Sequence, residues 1–339
     1  MDTLLLKDDE NGLKYSAKLI KNGEIVAFPT ETVYGLGADA TNESAVRKIF
    51  QAKGRPSDNP LIVHLHDFSE AVKYTSYIPQ IAFKVAEKFC PGPITLVLPK
   101  NDKIPLVTSG GLDTVGIRIP LHPSARKLIE LCGKPVSAPS ANTSGYPSPT
   151  SAMHVMRDMN GKIPAIVDGG ESLYGVESTV ICFENKNSIR ILRPGFITRE
   201  DLLSVCDNVI IDPAVTEGIK DSSQKVMSPG MKYKHYSPSA DIALVEGNIQ
   251  KFTEFAENHR GEGIYYLIFD EDIDSIKLEN CIPYGADSIE QAHLIFAKLR
   301  ELDEINAKRV YVRVPEKTGV GLAVYNRLIR ASGFEVIRL

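Results

Sequence analysis

Pro29-Thr30-Glu31-Thr32-Val33-Tyr34-Gly35-Leu36-Gly37, answered downstream by Lys53-Gly54-Arg55-Pro56 and by Asn59-Pro60-Leu61-Ile62-Val63-His64, is the stretch on which the reading of this chain turns. The apolar run Ile25-Val26-Ala27-Phe28 before it reads as a buried strand, and it ends in a turn rich in hydroxyls and glycines. Hydroxyls there can bind an amino acid or a phosphate, and glycine lets a ligand approach the backbone closely. A helix follows, with Asn42 as its N-cap and Ala45, Val46, Ile49 and Phe50 on one face. That helix delivers Lys53 and Arg55 at its C-terminal end, just before a second apolar strand, Leu61 to Leu65. Two strand ends and a helix end thus gather hydroxyls, a lysine, an arginine and a histidine. Such a set suits an anionic nucleotide and a small polar substrate.

The chain has 339 residues, which predicts two domains. It is 43% hydrophobic and 24% charged, as soluble globular chains are, with a formal net charge of -4. A generic nucleic-acid coat would be basic, so any RNA contact has to be local or transient. No basic segment precedes the short apolar run at the N-terminus, so no secretory signal is read there. No apolar run approaches the ~20 residues needed to span a bilayer. Five cysteines, Cys90, Cys132, Cys182, Cys206 and Cys281, are scattered and never paired as Cys-x-x-Cys. They fit a reducing cytoplasm and give no zinc site.

In chain order, a helix over residues 13–22 ends at Gly23. After Leu65, Asp67 or Ser69 caps a short helix through Tyr74, and another runs from Pro79 to Phe89 until Pro91-Gly92-Pro93 stops it. Strands are expected at residues 94–98 and 114–120, a helix over 124–132, and strands near 165–167, 178–183 and 189–193. Thr198, with Asp201 three residues on, opens a helix. Polar loops recur at strand ends, where ligands bind in open α/β sheets.

From Pro213 to Ser239 the pattern lapses into an irregular segment that reads as a linker. It contains Met227-Ser228-Pro229-Gly230-Met231-Lys232-Tyr233-Lys234-His235-Tyr236-Ser237-Pro238, chemically rich for a mere spacer. Beyond it strands (242–245, 263–269, 309–314, 334–337) alternate with helices (249–259, 288–301, 322–331), and Asp287 caps the second helix. This alternation predicts a small parallel, Rossmann-like domain. The expected division is a catalytic domain over 1–211, a linker over 212–239 and a second domain over 240–339.

Several candidate residues carry two readings. Lys53 and Arg55 can be solvated charges complementing a helix dipole, although Pro56 and Pro60 stiffen the backbone beyond them. Arg118 lies inside an apolar strand, so it needs an anionic partner, either a ligand or a structural carboxylate. His64 can be a core histidine; Ser140 and Asn142 can shape a turn; Arg193 can be a strand-end charge. Gly319-Val320-Gly321-Leu322-Ala323-Val324 is a helix start more than a dinucleotide loop, because Val324 replaces the third glycine. No Gly-x-x-x-x-Gly-Lys-[Ser/Thr] occurs, which excludes a P-loop enzyme, and no catalytic triad can be argued.

Taken together, Pro-Thr-Glu-Thr-Val-Tyr-Gly-Leu-Gly, Lys-Gly-Arg-Pro-x-x-Asn-Pro-Leu-Ile-Val-His, Gly-Ile-Arg-Ile-Pro, Ser-Ala-Pro-Ser-Ala-Asn and Leu-Arg-Pro-Gly resemble the YrdC-like domain of the threonylcarbamoyl-AMP synthase family. Pro-Gly-Met-Lys-Tyr-Lys-His-Tyr-Ser-Pro is similar to the linker of its long, two-domain form. The resemblance spans nearly the whole chain; the C-terminal domain shares it by position and size.

It implies a twisted YrdC-like α/β sheet around a positive cavity, followed by the smaller Rossmann-like domain. It also implies a nucleotidyltransferase reaction, in which L-threonine, bicarbonate and ATP give threonylcarbamoyl-AMP and pyrophosphate. A separate transferase complex then moves the group to tRNA adenosine. Mg²⁺ would accompany ATP, with no tightly bound cofactor. The resemblance assigns Thr32, His64, Arg118, Ala138 and Ser178 to threonine, with Arg118 on the carboxylate. It assigns Arg55, Asn59, Thr114, Ser140, Asn142, Ser148, Arg193, His235 and Tyr236 to ATP, and Lys53 and Arg55 to catalysis. Lys234 departs from the arginine expected there and loses its bidentate fork. The competing readings are an RNA-binding module with a basic cavity, and carbamoyl activation for metallocentre maturation; the latter should bring Cys-x-x-Cys segments that are absent.

Overall fold

Strand alternation and helix caps build two sheets in the computed structural model, which describes residues 2–217 and 235–339. The first part runs β1 (Leu4–Lys7), α1 (Glu10–Lys21), β2 (Val26–Phe28), β3 (Gly35–Asp39), α2 (Glu43–Lys53) and β4 (Ile62–His64). It continues through α3 (Gln80–Phe89), β5 (Ile94–Pro99), α4 (Leu106–Ser109), β6 (Thr114–Arg118), α5 (Pro123–Cys132), β7 (Val136–Ser137) and α6 (Ala152–Met159). It closes with β8 (Ala165–Asp168), β9 (Thr179–Asn185), β10 (Ser188–Arg193), α7 (Arg199–Leu202), β11 (Asn208–Ile211) and α8 (Ala214–Glu217). These strands form one mixed sheet in the order β1-β8-β2-β3-β7-β4-β6-β5-β9-β10-β11.

The second part consists of β12 (Asp241–Glu246), α9 (Ile249–Asn258), β13 (Ile264–Ile268), β14 (Cys281–Pro283), α10 (Ser288–Glu304), β15 (Arg309–Arg313), α11 (Gly321–Ala331) and β16 (Val336–Arg338). Its five strands, ordered β14-β13-β15-β12-β16, are all parallel. Helix α9 covers one face, where Phe252 and Ala256 pack on Val245 and Ile268. Helices α10 and α11 cover the other, where Ile295, Phe296, Leu299 and Leu328 meet Leu244, Val310 and Val312. The expected Rossmann-like parallel sheet is therefore present.

The caps read from sequence hold. Asn42 accepts from the Ala45 amide, Asp287 from those of Ile289 and Glu290, and Thr198 and Asp201 form a reciprocal capping box. Other elements differ from expectation. Residues 35–37, read as part of a turn, belong to β3, and at Gly37 a Cβ would meet Phe28 at 2.7 Å and Val136 at 2.9 Å. The glycine is thus a packing requirement of a strand and not a loop signal. Helix α6 was missed, although Ala152, Val155 and Met159 form its buried stripe and Ser151 caps it. Residues 214–217 form a helical turn where only linker was expected. The linker residues 218–234, Lys232 and Lys234 among them, lie outside the described residues.

The two sheets share a core. Val33, Val176 and Val215 of the first part join Tyr236 and the inner faces of α10 and α11 in one apolar cluster. Arg300 of α10 grips Asp158 of α6 with two bonds, at 3.0 and 2.9 Å, and donates to the Pro147 carbonyl. Gly175, at φ +73°, passes so near α10 that a Cβ would fall 2.4 Å from the Ala292 carbonyl. A side chain is excluded there on both counts.

Candidate active site

His64 ends β4 and Arg118 ends β6, and the parallel register of those strands sets the two side by side. Across from them the loop 29–34 turns between β2 and β3. The Thr30 hydroxyl donates to the Val33 carbonyl at 2.6 Å and lies 2.9 Å from the Thr32 hydroxyl. The Pro139–Asn142 loop after β7 is stitched to β3 by a Gly35–Ser140 bridge. Ser178 sits just before β9, and Arg193 ends β10. Arg193 donates to the Ser178 carbonyl at 3.2 and 3.0 Å, and the Thr95 and Ser178 hydroxyls lie 2.8 Å apart. Helix α2 ends at Gly54 in the left-handed conformation, which turns Arg55 inward. The described chain resumes at His235 and Tyr236, whose rings lie 4.4 Å apart.

These elements wall a cavity of about 40 Å³. Arg55, His64, Arg118, Ala138, Ser140, Arg193, His235 and Tyr236 line it, with Thr30, Val33 and Glu177 among the others. Five more of the expected residues stand immediately behind. Thr32 accepts from Arg118 at 2.8 Å, and Asn142 accepts from the Ser140 hydroxyl at 2.5 Å. Ser148 donates to Glu177 at 2.6 Å, Ser178 holds Arg193, and Asn59 is buried beside the lining residue Pro60.

Two more of the expected residues do not line the cavity. The Lys53 ammonium does not line the cavity; it is spent on the Ser140 carbonyl at 2.5 Å, the Asn142 carbonyl at 2.6 Å and the Asn142 side chain at 3.3 Å. Thr114 stands at the opposite end of β6 from Arg118, four residues or ~13 Å of strand away. It lines a separate hollow of about 750 Å³ with Tyr77, Lys84 and Phe183. Three charged residues that sequence reading did not single out organise the site. Glu31 pairs with Arg118 at 2.7 Å and accepts from the Leu121 amide at 3.0 Å. Glu177 lines the cavity, and Arg327 of α11 pairs with it at 2.8 Å.

The cavity is enclosed and positively biased. Ten buried side-chain nitrogen and oxygen atoms of the described residues lack a partner, and four belong to residues that line this cavity: Arg55 Nε, His64 Nδ1, Arg118 Nε and His235 Nδ1. Unpaired buried polar atoms are costly, so four of them on residues lining one cavity mark a place that a polar ligand completes. Burial, and then the charge of Arg118, pushes His64 down to about 3; burial and Arg55 do the same to His235. Burial lowers the Lys53 ammonium, with Arg55 adding to it. Burial alone would raise Glu177, but Arg327, then Arg193 and the Ser148 hydroxyl outweigh it and hold it at about 2.

These histidines predict an acid weakness. Unfolded imidazole binds a proton near pH 6.5, whereas His64 and His235 stay neutral when folded down to about 3. Their contribution is therefore complete above about pH 6.5 and declines as pH falls toward 3. Each costs about 2 kcal/mol at pH 5 relative to pH 7. Urea unfolding at the two pH values should show this loss, and His64→Gln should reduce it by about 2 kcal/mol. A His64→Gln chain with the full wild-type loss would contradict the assignment.

Comparison with known proteins agrees with this architecture. Residues 18–195 match the Sua5_yciO_yrdC family, described as "Telomere recombination". Residues 197–333 match the family described as "Threonylcarbamoyl-AMP synthase, C-terminal domain". The chain is similar to the threonylcarbamoyl-AMP synthase of Pyrococcus abyssi, at 44% identity over 98% of this chain and 97% of that one. It is similar to that of Bacillus subtilis at 41% identity, over 98% and 96%. The crystal structure of P. abyssi Sua5 complexed with L-threonine superposes with a TM-score of 0.92 at 42% identity, covering 99% of this chain and all of that one.

Proposed function

The chain belongs to the threonylcarbamoyl-AMP synthase family, and from that premise we propose how its pocket converts L-threonine, bicarbonate and ATP into threonylcarbamoyl-AMP and pyrophosphate. The product is the activated intermediate for N6-threonylcarbamoyladenosine in tRNA. The observation that carries the assignment of the pocket is the set of four orphaned nitrogens around one enclosed cavity. Guanidinium and imidazole nitrogens that find no hydrogen-bond partner among the described residues suit a carboxylate and a phosphate.

The threonine carboxylate is assigned to the unused donors of Arg118, with the Thr32 hydroxyl beside it and Ala138 and His64 around the substrate. The amine adds to bicarbonate, a water leaves, and an anionic carbamate results. One carbamate oxygen attacks the α-phosphorus, the bond to the β-phosphate breaks, and pyrophosphate departs. A nucleophile that is already anionic needs no strong protein base. The remaining demands are alignment and neutralisation of phosphate charge, which fixed cations supply in a dry site. Arg55 and Arg193 are assigned to the triphosphate, and Ser140, Asn142 and Ser148 to the nucleotide. Thr114, outside the cavity wall, is not part of this assignment. Selection of threonine over serine would rest on one methyl, worth about 1–3 kcal/mol.

Among the described residues, no group of three or more His, Cys, Asp or Glu side chains is placed to hold a metal. The carboxylate lining the cavity, Glu177, already serves Arg327 and Ser148. Mg²⁺ is therefore assigned to ATP as part of the substrate. A 40 Å³ space holds about three waters at ~10–15 Å³ each, so His235 and Tyr236 must withdraw before substrates enter and return over them to exclude water. A separate transferase must then consume this hydrolysable product. No helix of the described residues is long and apolar enough to cross a membrane, and five free cysteines suit work in a reducing cytoplasm.

Pyrophosphate release from ATP and bicarbonate tests the proposal. Release should require threonine and yield a threonine-containing adenylate. Release at the same rate without threonine would overturn the assignment.

A further inference from the structure

The fully buried Arg327 belongs to the second sheet's helix α11, yet across the interface it holds Glu177 of the cavity wall and Pro194, the neighbour of the lining residue Arg193. Its Nε donates to the Glu177 carboxylate at 2.8 Å, and one terminal nitrogen to the Pro194 carbonyl at 2.9 Å. The other terminal nitrogen lies 3.4 Å from the Glu177 carbonyl, and the guanidinium stands 5.7 Å from the centre of the Tyr236 ring. Asn326, next to it, holds the Val215 carbonyl at 2.7 Å and accepts from Arg327 at 2.9 Å. Pro194 follows Arg193 directly, and Glu177 precedes Ser178, whose carbonyl holds the Arg193 guanidinium. One side chain therefore grips the residues flanking both members of the Arg193–Ser178 contact.

We propose that Arg327 is a positioning residue for the nucleotide: it neutralises Glu177 and keeps that carboxylate from capturing Arg193, so Arg193 remains free for the triphosphate. A pocket built to take a polyanion contains one carboxylate in its wall, and unpaired that charge would repel the ligand. Arg193 has no ion pair among the described residues, and Glu177 has one, to Arg327. Glu177 nonetheless senses Arg193 as its next cation after Arg327. Removing Arg327 leaves a buried carboxylate on which Arg193, the group assigned to ATP, is the next cation to act. A buried pair is weak evidence for stability on its own; the position of this one, between the cavity and the second sheet, gives it a functional reading. It also gives the C-terminal domain a task, that of supplying the charge that makes the pocket single-signed.

The inference rests on the synthase reading above. Its test is steady-state pyrophosphate release by the full-length chain and four variants: Arg327→Met, Arg327→Lys, Glu177→Gln and the double variant Arg327→Met/Glu177→Gln. Arg327→Met should raise the KM for ATP at least tenfold while the KM for threonine stays within threefold. The double variant, which removes both charges, should return the ATP KM to within threefold of wild type, and Arg327→Lys should stay below the methionine variant. Equal rises in both KM values, or a double variant no better than Arg327→Met, would overturn the proposal. If Arg327→Met fails to fold, the double variant against Glu177→Gln decides: matching ATP KM values support the proposal and a further tenfold rise in the double overturns it. Wild-type protein that releases pyrophosphate without threonine would instead overturn the synthase reading itself.

Discussion

Lys53→Met is expected to lower kcat/KM for ATP by about 10²–10³-fold, the scale of leaving two or three buried oxygens unpaired at about 1–3 kcal/mol each in the loop that carries Ser140. The structure says why the loss is large although Lys53 does not reach the cavity. Its ammonium has three hydrogens and meets three oxygens, two from backbone carbonyls at Ser140 and Asn142 and one from the Asn142 side chain. Lys53 also accepts the Ser144 amide on its own carbonyl. The helix end and the Ser140–Asn142 loop are thus one unit, and Ser140 lines the cavity. Methionine fills the volume but leaves those oxygens unpaired, each at about 1–3 kcal/mol, and the loop must shift to find water. Lys53→Arg separates charge from geometry. A planar guanidinium cannot place three hydrogens on acceptors that surround a single point, so arginine should recover less than a tenth of the activity. Full recovery by arginine would mean that Lys53 acts only as a positive charge.

Most of this unit was visible in the sequence, and the invisible part is instructive. The strand before Pro29, the Asn42 cap and the arrival of Lys53 at a helix end follow from local periodicity and capping. Local rules also placed His64 and Arg118 within strands; the structure ends both strands at these residues, where the parallel register brings them together. The target of Lys53 was not legible, because the loop it binds lies some ninety positions away. Glu177 and Arg327 were missed for the same reason: 150 positions separate them, and no spacing rule connects them. A signal existed for Arg327, an arginine within the apolar face of Leu322–Ala331, which forces burial and hence a partner. Thr114 differs in the opposite direction. It shares a strand face with Gly116 and Arg118, so alternation admits it, but strand length carries it to another hollow.

Arg118→Met is the second large effect, and it decides between the two readings that the sequence left open. The structural carboxylate exists: Glu31 sits 2.7 Å from one terminal nitrogen of Arg118, which also bonds Thr32 at 2.8 Å. All the arginine's hydrogen bonds run through that nitrogen, and its Nε is buried without a partner. Pairing with Glu31 therefore occupies one edge of the fork and leaves donors for a second carboxylate. Glu31 in turn keeps the Leu121 amide at 3.0 Å when Arg118 is gone. Truncating a buried charge partner costs about 2–4 kcal/mol, so the KM for threonine should rise roughly 30- to 1000-fold while that for ATP changes little. Arg118→Lys keeps the charge and loses the fork; it should still raise the threonine KM at least tenfold, by an order-of-magnitude reading of bidentate geometry. Glu31→Gln retains an oxygen for the Leu121 amide and should cost far less in threonine KM than Arg118→Met. If the two substitutions cost the same, or if threonine and ATP requirements rise together, Arg118 is a framework ion pair and the substrate carboxylate binds elsewhere.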